Sequence, residues 1–189
     1  MSKLYPDALL ERLEWRRDIR NLMGRLSADY AVREEAQAYD RYWSRREDVV
    51  LGVNEGWYVG PEAVAGYYKA LDDEIVLAAQ CVKKDFPDKL EGLSEEELKG
   101  VGAISYIPVD SHVIEIADDG KSGRGAFLTP GTIFEYLKPA QHRRAIFMWE
   151  RYGADFVCDE NGEWKYLHEH VCPDFQGNYD NVNWGLEAY

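Results

Sequence analysis

From Pro6 to about Val32, apolar residues recur largely at three- and four-residue spacings: Leu9, Leu10, Leu13, Ile19, Leu22, Met23 and Leu26, with Arg and Glu on the other side. That period predicts an amphipathic helix. A second helix is predicted from Glu34 to Arg46, with Tyr39, Tyr42 and Trp43 along one side. The stretch "DVVLGVNEGWYVG" then reads as a short hairpin, because Val49, Val50, Leu51 and Val53 are good strand formers and "NEG" carries turn chemistry. Pro61 sits where a first helical residue tolerates a missing N–H, so a third helix is predicted from there to about Lys84. "DFPDKLEGL" interrupts it. "SEEELKG" restarts a short helix, with Ser94 and Glu97 spaced as a capping box and Gly100 as its stop. After Gly102 the pattern changes to strands broken by two turns, "ADDGKSG" and "DENGEW", which predicts two long antiparallel hairpins or a four-stranded meander. From about residue 172 the tail has little periodicity, although Phe175, Tyr179 and Trp184 are placed to pack back on the body.

Helices thus segregate from strands, which signals an α+β domain and not an alternating α/β one. The segments "IRNLMGRLSADY", "YWSRREDVVLGVNEGWYVGPEAVAGYY" and "DENGEWKYLHEHV" resemble the SnoaL-like group of the nuclear transport factor 2-like superfamily. The shared features are an amphipathic first helix, a G-x-E-x-V helix start (Gly60, Glu62, Val64), and a late strand opening G-x-W-K with an aromatic and a His after it. The resemblance implies a cone-like α+β barrel: a curved antiparallel sheet with the N-terminal helices over its concave face. Residues 1–189 are expected to form a single domain, with a helical insertion at about 72–100.

Composition narrows the partners. The formal net charge is −13, which repels phosphate backbones and anionic membranes, and no stretch approaches the length of a membrane span. The N-terminal residues do not read as a signal peptide, and three widely spaced cysteines (Cys81, Cys158, Cys172) suit free thiols in a reducing cytoplasm. There are 13 Tyr, 6 Trp and 6 Phe. Rings with polar tips suit either the wall of a deep cavity or a core and interface.

The candidate chemistry centres on His168 and His170, which on a strand share one face with Trp164 and Tyr166. A metal would need a third ligand, for which His112, Glu150 and Asp110 are candidates. The resemblance implies instead a pocket that works without metal or cofactor, as in scytalone dehydratase and related polyketide cyclases, where His, Asp and Tyr surround the cavity. On that reading His168 faces inward, while Glu169, of opposite parity, faces solvent. His170 lies at a strand end close to Pro173, and Pro cannot donate to a sheet ladder. His112 and Asp110 share a face and are spaced to couple as an acid–base pair. Tyr30 continues the Leu22–Leu26 stripe and is placed to donate a proton or hold an oxyanion, with Asp29 beside it. Trp57, Trp149 and Tyr166 are candidate substrate-binding walls, and only one of Glu150 and Arg151 can face inward. The function this supports is a cofactor-free lyase, dehydratase, isomerase or cyclase acting on a small aromatic, polyketide-like or steroid-like molecule. The alternatives are a non-catalytic carrier of a small hydrophobic ligand and an assembly module. A homodimer is expected through Ile107, Val109, Val113 and Phe147 on the convex face.

Overall fold

The computed structural model describes residues 7–54, 56–138 and 142–178. Helix α1 (Asp7–Val32) buries Ile19, Leu22, Met23 and Leu26, one stripe of the predicted face, whereas Leu9, Leu10 and Leu13 remain exposed. The predicted second helix is shorter than its pattern suggested. A single 3-10 turn (Glu35–Gln37) leads into α2 (Ala38–Tyr42), and Trp43 is already extended. A hairpin follows, β1 (Val50–Val53) and β2 (Gly56–Val59). Gly60 at φ 88° then turns the chain into α3 (Pro61–Asp85), a backbone angle that glycine adopts without strain. A 3-10 turn (Pro87–Lys89) and α4 (Glu95–Lys99) complete the segment expected as an insertion. Ser94 and Glu97 form the predicted capping box.

The second half is β3 (Ala103–Tyr106), β4 (Asp110–Ile116), β5 (Ser122–Lys138), β6 (His142–Cys158) and β7 (Trp164–Asn178). The two predicted turns join β4 to β5 and β6 to β7. The strand order is β2-β1-β7-β6-β5-β3, and β4 pairs with the first half of β5. Two expectations are corrected. The sheet is mixed, because β1 runs parallel to β7 (Val50↔His168 to Gly52↔His170). Residues 172–178 are not irregular: they continue β7 to Asn178, held by pairing to β6. Tyr179, Trp184 and the side chain of Phe175 lie outside the described residues.

The long β5–β6–β7 sheet curls strongly, and α1 and α3 lie in its concave side. Buried Phe156, Trp164, Tyr166 and Leu51 from the sheet meet Leu22, Met23, Val64 and Tyr68 from the helices in one core. Trp43 stacks on Tyr166 with centroids 5.5 Å apart, and its indole N–H donates to the Tyr68 hydroxyl at 3.0 Å. Trp15 of α1 lies directly over Gly120 in the β4–β5 turn, where a Cβ would come within 2.3 Å of the indole. Among the described residues, no helix is long and apolar enough to cross a membrane.

Candidate functional site

A cavity of about 300 Å³ opens between α1, α3 and the inner face of the sheet. That is at the small end of the range for ligand pockets. Leu26, Leu71, Ile75, Val109 and Phe127 supply apolar wall, while Tyr30, Tyr58, Tyr67, Tyr152 and Tyr166 supply rings with polar tips. The chemistry comes from β6 and β7. Along β6 the inward positions are Ile146, Met148, Glu150, Tyr152, Ala154 and Phe156, a regular period-two stripe that carries one carboxyl.

On β7 the period breaks. Tyr166 pairs with Phe156 and His168 with Asp155, so Leu167 is an extra residue without a counterpart on β6. Such a bulge advances the alternation by one position. Trp164 and Tyr166 point inward before it, and Glu169 and Val171 point inward after it. Glu169 is 5% exposed and lines the cavity. Burial, and then the neighbouring Glu150, push its carboxyl up to about 8. Desolvation disfavours the charged form, and a like charge disfavours it further. The Tyr152 hydroxyl donates to Glu150 Oε2 at 2.7 Å, and the Tyr152 ring stacks on Phe127 at 4.7 Å. Burial raises Tyr30 well above its ordinary range, reinforced by Tyr68, Tyr67, Glu169 and Tyr152. Burial raises Tyr152 likewise, followed by Glu150. These phenols therefore stay protonated and serve as hydrogen-bond donors. Farther along the wall Glu35 is raised to about 7, by burial first, offset by its own backbone N–H and by Arg33.

The expected inward position of His168 is thus corrected, and so is the expected exposure of Glu169. His168 lies on the outer face, where Nδ1 bonds Asp155 at 2.9 Å and Nε2 bonds the Asp48 carbonyl at 2.9 Å. His170 is beside it on the same face, stacked on Trp57 at 4.7 Å. Trp57, Gly52 and His170 stand opposite one another across β2, β1 and β7. The Trp57 ring fills the space over Gly52, is 64% exposed, and is no cavity wall. Trp149, 57% exposed, is also on the outer face.

The Asp110–His112 couple does not form. β4 is irregular between Asp110 and Val113, with Ser111 at φ 47°, so the two residues do not keep one parity. The Asp110 carboxylate accepts from the Ser111 N–H at 2.7 Å, and His112 sits in a surface recess beside Arg17 and Arg20 of α1. Asp29 is bound by Arg41 at 2.8 Å and by the Tyr42 hydroxyl at 2.7 Å, which ties α1 to α2 and turns it away from the cavity. Of the named candidates, Tyr30, Tyr166 and Glu150 line the cavity. Ile107 and Val109, expected on the convex face, also line it, because Ser27 of α1 holds the Ile107 carbonyl at 2.6 Å and draws the β3–β4 connection inward. No group of three His, Cys, Asp or Glu among the described residues is arranged to hold a metal ion.

The sequence leaves Glu150 and Arg151 as alternatives for the inner face of this strand, and the structure places Glu150 there. Glu169 was hidden by the bulge. Its one local sign is the adjacent apolar pair Tyr166-Leu167 inside an alternating strand.

No family model matches the chain, and no curated protein does. Solved structures do. The hexachlorocyclohexane dehydrochlorinase LinA-type3 from Novosphingobium barchaimii LL02 shares 14% identity over 92% of this chain and 95% of its own, with a TM-score of 0.59. A nuclear transport factor 2-like superfamily protein from Salmonella enterica shares 9% identity over 90% of this chain and 98% of its own, also with a TM-score of 0.59. The chain therefore has the nuclear transport factor 2-like fold, in which helices cover a strongly curled sheet.

Proposed function

We propose that the protein is an acid–base catalyst of elimination or isomerisation, acting on a small hydrophobic molecule held in the cavity. The observation that carries this reading is Glu169: a carboxyl sealed in an apolar wall, beside a second carboxyl, and still protonated near neutral pH. A carboxyl held protonated beside a second carboxyl supplies an acid next to a candidate base. Glu150, held by the Tyr152 hydroxyl, takes a proton from a substrate carbon. The C–H electron pair forms the new double bond, and either the neighbouring carbon–oxygen bond breaks as Glu169 gives its proton to the departing oxygen, or a carbon–halogen bond breaks and the halide leaves as the anion with the Glu169 O–H donating a hydrogen bond to it. Exchange with solvent then returns both carboxyls to their starting states. Apolar walls that exclude water strengthen each of these interactions. The fold is shared with a protein named as a dehydrochlorinase, whose reaction is an elimination.

The test is turnover of a panel of small β-hydroxy and β-halo ketones, followed by the absorbance of the conjugated product. Glu169→Gln is expected to lower the rate on the order of a hundredfold to ten-thousandfold, and His168→Ala to leave it unchanged. Ligands that bind tightly but are never converted would instead favour a carrier.

We also propose that the outer face pairs with a second copy. Ile104, Tyr106, Phe134 and Trp149 are exposed there, with Phe147 edge-on to Phe134. A contiguous apolar patch of this kind usually marks an interface.

A further inference from the structure

The geometry points to a substrate that carries a basic nitrogen, with the Glu35 carboxylate as its anchor, an inference that rests on the cavity being a ligand chamber. Two buried polar atoms on the cavity wall have no hydrogen-bond partner: Glu35 Oε2 and Thr129 Oγ1. The two residues are 3% and 1% exposed. A buried acceptor without a partner is costly, so a group that supplies the missing bond gains what the free protein lacks. An ionised carboxylate only accepts, so at Glu35 the ligand must present an N–H or O–H.

Charge selects between those two. The described residues lining the cavity include four carboxyls (Glu35, Glu74, Glu150, Glu169) against one cation, Arg33. The Arg33 guanidinium donates to the Ala103 carbonyl at 2.9 Å and to the Tyr30 carbonyl at 2.8 Å. The groups that act on Glu35 are Arg33 at the end of α1, Asp29 on α1 and Asp72 on α3. Both of those aspartates already have cations, Arg41 and Lys99 respectively. Glu35 Oε2 has no such partner. A ligand ammonium beside it completes an ion pair inside a low-dielectric wall, where charge-assisted hydrogen bonds are strong. The tyrosine faces of the same cavity also favour a cation. An anionic ligand meets repulsion from the ionised carboxyls, while the Arg33 guanidinium is already engaged by two backbone carbonyls.

Three isosteric probes test this by calorimetric titration: 1-naphthylmethylamine, 1-naphthylmethanol and 1-naphthoate. The amine is expected to bind roughly ten- to hundredfold tighter than the alcohol, and the carboxylate to bind more weakly than either. Glu35→Gln, checked for folding by circular dichroism, should bring the amine down to the level of the alcohol. In the unmodified protein the affinity for the amine should rise from pH 6 to pH 8, as Glu35 ionises, while that for the alcohol stays flat. Equal binding of amine and alcohol, or an amine advantage that survives Glu35→Gln, overturns the anchor and leaves the acid–base reading of Glu150 and Glu169 intact. Failure of all three probes to bind overturns both.

Discussion

The two faces of the β6–β7 hairpin carry almost the same kinds of side chain and put them to different physical use. Outside, His168, His170, Asp155 and Trp57 form a half-exposed cluster in which each polar group is met by water or by a surface neighbour. Inside, Glu150, Glu169 and Tyr152 lie in a closed wall where charge is penalised. His168 and Glu169 are consecutive in the chain, yet only Glu169 lies in the interior, where burial holds its proton. Residue type alone therefore does not tell which group faces the cavity. The side of the sheet decides, and here the intuitively more reactive imidazole is on the wrong side.

This contrast is breakable by substitution on each face. The largest effect belongs to the inner packing. Phe156 is fully buried and tilts against Tyr166 at 5.0 Å, so Phe156→Ala should cost about 3–5 kcal/mol in chemical denaturation.

Next is the pH dependence of stability. Glu169 is raised from 4.5 to about 8 on folding, and Glu35 from 4.5 to about 7. The folded state therefore holds protons that the unfolded chain releases. This stabilisation is complete below about pH 4.5 and is lost as pH rises through 7 and 8, on the order of 4 kcal/mol from Glu169 alone. Urea midpoints measured from pH 5 to pH 9 should fall, and Glu169→Gln should flatten most of the decline. An unchanged slope in that variant would remove the buried acid from the account.

On the outer face the effects shrink. His168→Gln loses its geometry to Asp155 and to the Asp48 carbonyl, worth about 1 kcal/mol by thermal or chemical unfolding. Smallest for the folded chain is Trp149→Ser, within about 0.5 kcal/mol because the ring is already in solvent. Light scattering should nonetheless show that this variant shifts a dimer toward monomer. A wild-type protein that is monomeric at micromolar concentration would end the pairing proposal.

Much of the architecture is written in local chemistry. The Ile19–Leu26 stripe, Pro61 after Gly60, the Ser94–Glu97 cap and the two Gly-containing turns each specify their element from a few neighbouring residues, and the structure keeps all of them. The inner stripe of β6 is equally readable, up to the choice between Glu150 and Arg151. What could not be read depends on pairing between distant segments. The parallel contact of β1 with β7 has no local signature. The irregularity at Ser111 separates Asp110 from His112, and the extra residue at Leu167 exchanges His168 for Glu169. Both errors came from extending a period of two across a point where the partner strand imposes one residue more.

That extra residue works like a frameshift in space. Deleting Leu167 would only remove the surplus residue, leaving His168 opposite Asp155 on the outer face and Glu169 inward; losing the bulge at constant length, with Leu167 opposite Asp155, would instead turn His168 and His170 toward the chamber and Glu169 and Val171 toward water. Gain or loss of the bulge at constant chain length is what would exchange a carboxyl-lined for an imidazole-lined interior. Which side chain the chamber is offered thus depends on how β7 is paired and not only on which residues it carries, a choice that a comparison of aligned substitutions would not register.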